Sequence, residues 1–478
     1  MKSIISILLI LFFLNPFNNL TAQKSNRAII NIHIEEAEEG ESIGVWQYSF
    51  NLRTPETRLD TLLIVHNKQI SLRFEQMNHP GYFSLYSRKR RSLTPLPYLV
   101  EPGDSVHIII SDKNTSFSGR GYLKMQCSYQ MLLSKDKSAN SRPRIINLTD
   151  KHIVYNHCDS ALTAVMKVLD SYRNKISQQA FEILRADELG FDLNYRLEIS
   201  GFDLYAKADA PLRIVYQSLY NRLNQLVKKP GNQPNDKMAA YSYHWPGAIL
   251  KKYLADSFYM QSKPFDLPVQ YRYIQHHYKG LLRDHLITYL LHNFNHASDS
   301  LVPCIKNALE VVQDNELNGV LRKQYLHYLQ GTKAFNFSLR DTSGRLVRLT
   351  DFSNKTIVMD FWFTGCLSCV GASAALKPIE HLFKEREDLV FLSISIDRDK
   401  NTWLKGLNSG QYSAQGRINL YTDQKGGNHP LIKYYNIFGY PTLMLIDKKG
   451  DLVSARLPDP RTNNGTALIK AIKDALDK

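Results

Sequence analysis

The chain has 478 residues, with 60 Lys and Arg against 45 Asp and Glu, a net charge of +15 and 43% hydrophobic residues. This composition excludes an intrinsically disordered chain, and the length accommodates about three domains at roughly 150 residues each. In a cytoplasmic protein the basic balance would admit nucleic acid as a partner, so the N-terminus has to be read first.

Met1-Lys2 precede an apolar core from Ile4 to Leu14, then a helix-breaking Asn15-Pro16 and the run Leu20-Thr21-Ala22-Gln23. One positive charge, a short apolar core and a small residue before a polar one make a secretory signal over residues 1–22, cut after Ala22. The alternative is an uncleaved N-terminal anchor, although a bilayer span takes roughly 20 residues. Export to a periplasmic or cell-envelope compartment makes nucleic acid an unexpected partner and an anionic envelope surface a better match for the charge. The densest basic cluster, Arg88-Lys89-Arg90-Arg91, reads as a solvated loop between strands.

Residues 28–120 predict β-structure. Ile30, Ile32 and Ile34 alternate with polar residues, as do Ile70, Leu72 and Phe74, and then Val106, Ile108 and Ile110 after a turn at Glu101-Pro102-Gly103-Asp104. Period-two alternation buries one face of each strand, as in an antiparallel β-sandwich. From 122 to 330 the period becomes helical. Leu282, Leu286, Ile287, Leu290, Leu291 and Phe294 fall on one stripe, and Ile249, Leu250, Tyr253, Leu254 and Phe258 on another. The segment 229–235 is a loop. This helical middle region has no chemistry that the sequence reveals.

Residues 333–478 predict an α/β sandwich. A hairpin turn at 340–345 leads to a strand from Thr356 to Phe363 with both faces apolar except at Asp360. The following helix carries Cys369, Ala372, Leu376, Ile379 and Phe383 on its inner stripe, and Pro378 is expected to kink it or to start a new segment. Another strand covers 389–396. Tyr440-Pro441 then leads into an apolar strand, Lys448-Lys449-Gly450-Asp451 turns the chain into a last strand, and a helix runs from about Thr466.

The chemistry concentrates in "DFWFTGCLSC", residues 360–369. Cys366 falls at the first turn of a helix, where unpaired N–H groups stabilise a thiolate by about 0.3–1 kcal/mol, or up to about 2 when partly buried. One pKa unit is about 1.4 kcal/mol, so the helix alone can raise the nucleophilic fraction near neutral pH. Cys369, one turn deeper, can attack a mixed disulfide formed at Cys366 and release the partner. Asp360 interrupts an apolar strand. Burial should raise its pKa, and it could accept the proton of Cys369; a structural carboxylate bonded to backbone is the alternative. Gly439-Tyr440-Pro441 suits a tight cis turn whose backbone at Gly439 and Tyr440 could dock a substrate strand, or an ordinary trans proline at the start of a strand.

Other uses of the cysteine pair fit less well. Structural zinc needs four ligands, and only His381 lies near. Haem attachment needs His where Val370 stands. A peroxidase-type cysteine would want Pro and Thr where Met359 and Phe363 stand. No cofactor and no metal are expected. Cys127, Cys158 and Cys304 are by default buried small hydrophobes, with a Cys127–Cys158 disulfide open. His292 and His296 have helical metal spacing without a third ligand.

Residues 333–478 resemble the thioredoxin-fold domains of TlpA/ResA-type exported thiol-disulfide oxidoreductases. "DFWFTGCLSC" stands at the strand and CxxC, and "KYYNIFGYPTLMLIDKKG" (433–450) at the cis-proline loop and hairpin. "YLVEPGDSVHI" and "FSGRG" resemble, more weakly, a β-sandwich that precedes such domains. The resemblance implies Cys366 as attacking thiol, Cys369 as resolving thiol, Asp360 as buried acid and Pro441 as cis. The chain departs from the pattern at Gly365, Ser368, Val370, Ala372 and Ala374. The expected fold is thus multidomain: an antiparallel β-sandwich, a helical region and a C-terminal thioredoxin fold. The expected function is disulfide reduction or isomerisation on envelope proteins, fed by an electron donor the sequence does not name. An envelope scaffold with a vestigial or sensory redox domain is the second reading.

Overall fold

The computed structural model describes residues 26–52, 58–87, 91–112, 114–140, 150–229, 233–293, 300–328, 331–414, 416–435, 437 and 439–477. The expected secretory signal over 1–22, most of the basic cluster at 88–91, and Phe294 and His296 lie outside them. The chain forms two compact units. The first takes in the β-region except residues 50–59, continues to residue 130, and includes residues 172–180. The second takes in residues 50–59, 131–171 and 181–478.

In the first unit, the three alternating stretches become strands Ala28–Ile34, Gln69–Phe74 and Ser105–Ile110, joined by Thr115–Arg120 in a four-stranded sheet. A five-stranded sheet built on Ser42–Tyr48 and Gly81–Ser87 supplies the second layer. Ile30, Ile32, Leu72, Val106 and Ile108 pack with Val45, Phe83 and Leu85 in one apolar cluster. One pairing departs from the antiparallel expectation: Ala28–Ile34 runs parallel to Ser105–Ile110. The two strands are far apart in sequence, and the chain between them builds much of the other sheet, so no hairpin constrains their direction. The turn at 101–104 is closed by Glu101 N–H donating to Asp104 Oδ2 at 2.8 Å. Asp104 also receives Lys124 Nζ at 2.7 Å, an ion pair whose two side chains are almost wholly buried.

The second unit begins with helices. Asp209 and Asp266 cap Ala210–Val227 and Leu267–His277 by accepting from Leu212 N–H and Val269 N–H, each with proline in the first turn. Helix Gly280–Asn293 differs from the single stripe expected. Asp284, His285, Thr288 and His292 are buried along with its leucines, so it is a central helix covered nearly all round. Its polar side chains are accommodated because they bond to neighbours: Asp284 accepts from Gln313 N–H and Asp314 N–H, and His285 Nδ1 bonds the Ala240 carbonyl at 2.7 Å. No helix among the described residues is long and apolar enough to cross a membrane.

The C-terminal α/β region consists of β1 (Ser338–Asp341), β2 (Leu346–Arg348), β3 (Thr356–Trp362), α1 (Leu367–Leu382), β4 (Leu389–Ser395), α2 (Lys400–Asn408), β5 (Ile418–Tyr421), α3 (Pro430–Tyr434), β6 (Thr442–Ile446), β7 (Leu452–Ser454) and α4 (Thr466–Leu476). Its seven strands lie in the order β2-β1-β5-β4-β3-β6-β7, with β3, β4 and β5 parallel and the others antiparallel. Every residue of β3 is buried, as a central strand covered on both faces requires. Val358 packs with α1 and α4. Ile357, Met359 and Phe361 join a cluster on the other face that continues into Leu317, Leu321 and Tyr328 of the preceding helices. Pro378 lies inside α1, which runs through it as one helix. The proline is on the exposed side, where the carbonyl it leaves unpaired can meet water.

Candidate active site at the thiol pair

Strand β3 delivers the chain to a three-residue loop and then to Cys366, the N-cap of α1. Cys366 and Cys369 are joined in a disulfide with an S–S distance of 2.01 Å. The Cys369 N–H donates to Cys366 Sγ at 3.1 Å, so the outer sulfur receives a helix-terminal N–H as the sequence position suggests. Cys366 is 7% exposed and Cys369 2%, which makes Cys366 the more accessible sulfur. Between them Leu367 is 85% exposed. Among the described residues this is the one disulfide, and Cys127, Cys158 and Cys304 are buried thiols.

The loop before Cys366 is fixed from several directions. Gly365 has φ +97°, a left-handed conformation that a side chain would strain. Its N–H donates to Tyr412 Oη at 2.8 Å, and the Tyr412 ring stacks on Trp362 at 4.7 Å. Asp397 accepts from Thr364 N–H at 3.1 Å and Thr364 Oγ1 at 2.8 Å. These contacts anchor the turn that presents the thiols.

The second wall comes from the turn before β6. The Tyr440–Pro441 peptide is cis. The Tyr440 carbonyl oxygen lies 3.8 Å from Cys366 Sγ, and the Tyr440 ring meets Phe363 edge to face. Burial pushes the Tyr440 hydroxyl up to about 12. The Gly439 carbonyl accepts from Thr442 Oγ1 at 2.7 Å, so it is occupied within the turn. A cleft of about 210 Å³ runs past this turn and is lined by Ser368, Tyr440, Pro441, Arg456, Asp459 and Arg461 among others. Arg461 donates to Ser368 Oγ at 2.8 Å and also pairs with Asp459.

Asp360 is buried on the same face of β3 as Val358 and Trp362. Desolvation raises its pKa from 3.8 to about 6, against the lowering influence of Arg417. Arg417 Nη1 bonds Asp360 Oδ2 at 2.9 Å, and Arg417 Nε bonds Glu380 Oε1 on α1. Burial likewise raises the Glu380 carboxyl, again opposed by Arg417. The contacts of Asp360 thus run sideways to a cation as well as lying under the redox helix.

The structure therefore brings Cys366, Cys369, Tyr440 and Pro441 together, with Asp360 on the sheet face beneath the same helix. Arg417, Glu380, Tyr412 and Arg461 were not singled out from sequence. Only Glu380 carried a signal: it lies eleven residues after Cys369, three helical turns along the same buried stripe.

The sheet order, the disulfide at the start of α1 and the cis-proline turn facing it define a thioredoxin-fold redox domain. A family profile described as thioredoxin-like matches residues 354–452. Over 123 residues the chain is 28% identical to thiol-disulfide oxidoreductase ResA of Bacillus thuringiensis, covering 26% of this chain and 66% of that protein. The thioredoxin-like protein YneN of Bacillus subtilis is 26% identical over 121 residues, covering 25% of this chain and 67% of YneN. The solved thioredoxin domain of a thiol-disulfide oxidoreductase from Bacteroides vulgatus is 26% identical, covers 30% of this chain and 98% of that one, and has a TM-score of 0.26. The chain thus spans about 66% of the length of the ResA proteins it matches.

Proposed function

We propose that the protein is an exported thiol-disulfide oxidoreductase that reduces or isomerises disulfides of envelope proteins. The observation that carries this reading is the position of the thiol pair: Cys366 caps a helix and faces the Tyr440 carbonyl, while Cys369 lies one turn deeper. In the reduced state, the Cys366 thiolate attacks one sulfur of a substrate disulfide and expels the other as a thiolate. Cys369 then loses its proton, attacks Cys366 Sγ and releases the second substrate thiolate. Two electrons pass to the substrate, and the 366–369 disulfide is left to be reduced by a donor in the same compartment. Asp360 is the acceptor of the Cys369 proton in this scheme, and Gly439, Tyr440 and Pro441 form the edge along which a substrate strand docks. The leader-like residues 1–22 supply the route to the envelope. The β-region (28–120) and the helical region (122–330) position the redox domain (333–478) or select its partners.

The test is a pair of variants in the full chain. Cys366→Ser should abolish reduction of a protein disulfide, and normal activity in that variant overturns the assignment. Cys369→Ala should accumulate mixed disulfides on Cys366 in cells. An empty trap at native expression would instead favour a scaffold with an idle redox domain.

A further inference from the structure

We propose that Glu380 and Arg417 are positioning residues for Asp360, which together make a one-proton reservoir beneath the redox helix. The inference rests on the oxidoreductase reading and adds to it the residues that set the proton's destination. Two carboxylates share one guanidinium in a region where the side chains of Arg417, Asp360 and Glu380 are only 1%, 6% and 14% exposed. With both acids ionised the cluster carries one uncompensated negative charge, and a buried charge without a partner is unfavourable. One proton makes the cluster neutral. Oxidation of the thiol pair by a disulfide requires Cys369 to give up one proton as its sulfur displaces the substrate thiolate.

Position supports the link. Cys369, Ser373, Leu376 and Glu380 fall on one stripe of α1, spaced by four, three and four residues, and Cys369, Ser373 and Leu376 are fully buried. Asp360 faces the same side of the sheet, on the strand that ends at the thiols. Asp360 Oδ1 and Ser373 Oγ are buried oxygens with no hydrogen-bond partner among the described residues, so the cluster has acceptor capacity left for an arriving proton; Arg417 Nη2 is a buried donor that likewise has none. The other groups around Asp360 are uncharged: Ser393 stands opposite on β4 and Leu443 on β6. Lys377 on α1 is the remaining charge acting on Glu380, and its ammonium is bonded to the Gly410 carbonyl. At residue 372, one of the departures from the ResA-type pattern, this chain has a fully buried alanine. The carboxylate on the helix is two turns further on and acts through an arginine.

In the step proposed, the Cys369 S–H proton passes to the Asp360 carboxylate, and the Cys369 thiolate bonds to Cys366 Sγ as the bond from Cys366 to the substrate sulfur breaks. The substrate disulfide is the oxidant and leaves as two thiolates, which take their protons from solvent. Arg417 stays charged and Glu380 stays ionised, so that Asp360 is the group that titrates.

The experiment is a redox equilibrium of the full-length protein against the dithiothreitol couple from pH 4.5 to 8, with the oxidised fraction read by thiol alkylation and mass. A carboxyl that takes the Cys369 proton has a different proton affinity in the oxidised and reduced states, so wild type should show an inflection near pH 6, where Asp360 titrates in the oxidised form. Asp360→Asn should remove it. Glu380→Gln leaves Arg417 to Asp360 alone and should move the inflection down by about one to two pH units, whereas Glu380→Asp should restore it. A wild-type curve without the inflection, or a Glu380→Gln curve that superposes on wild type, overturns the inference. A purely structural salt bridge would change stability and leave the inflection in place. Because the measurement needs no protein substrate, it can fail while the Cys366→Ser test succeeds. A pair that dithiothreitol cannot reduce removes both proposals.

Discussion

Replacing Asp360 with Asn is expected to make the redox domain more stable at neutral pH and to leave it nearly unchanged in acid. Burial raises this carboxyl from 3.8 to about 6. An acid whose folded pKa lies above its unfolded value binds more protons when folded. Its full contribution to stability is therefore present below about pH 4 and is lost as pH rises through about 6. A shift of about two units corresponds to about 3 kcal/mol, since each unit is about 1.4 kcal/mol. The side chain is almost fully buried, so solvent screening does not reduce that figure. Asn keeps an acceptor oxygen for Arg417 Nη1, and Arg417 keeps Glu380, so the substitution removes the charge with little loss of bonding. The assay is amide hydrogen exchange over Thr356–Trp362 in the oxidised full chain, corrected for intrinsic rates, at pH 4 and pH 7.5. The variant's advantage over wild type should grow by about 2–3 kcal/mol between the two. An advantage that is the same at both values would refute the claim that Asp360 carries an unfavourable buried charge.

Two further outcomes concern the other regions. Lys124→Met should destabilise the β-unit by about 3–5 kcal/mol, because it leaves Asp104 buried without its cation. The Lys124→Met/Asp104→Asn double variant should recover part of that loss, and exchange over Ser105–Ile110 measures both. In the helical region, burial lowers His285 and His292 from 6.5 to about 4. These imidazoles are held neutral, so their contribution is complete above about pH 6.5 and declines by about 3 kcal/mol each as pH falls to about 4. Exchange over Gly280–Asn293 should accelerate across that interval, and a flat profile would refute the assignment.

The sequence was most legible where one residue type repeats at the period of its element. Ile30, Ile32 and Ile34 became a strand with a buried face, and the apolar run with Asp360 at its centre became the middle strand of the sheet. The thiols and the Tyr440-Pro441 turn were legible because their chemistry depends on neighbours in the chain. What escaped was set by partners distant in sequence. Arg417 is 57 residues from Asp360 and 37 from Glu380, and nothing around it in the chain marks it as the cation they share. Helix Gly280–Asn293 looked one-sided because Asp284, His285 and Thr288 are polar. They are buried all the same, since loops at 240 and 313–314 and the helix's own carbonyls satisfy them.

The departures around the cysteines follow the same logic. Gly365 takes a backbone conformation that a bulky residue would strain, and the aromatic packing at this point comes instead from Tyr412 stacked on Trp362. Ser368 gains a hydroxyl that Arg461 grips from the loop before α4, placing a guanidinium at the first turn of α1. Ala372 contributes no charge, whereas Glu380 and Arg417 place charges deeper under the same helix. Gly365, Ser368 and Ala372 thus each have a counterpart supplied from elsewhere in the fold. The electrostatics of the thiol pair are therefore set by residues 412, 417 and 461 as much as by the four-residue CxxC segment, and substitutions at those sites are the place to separate an active redox centre from an idle one.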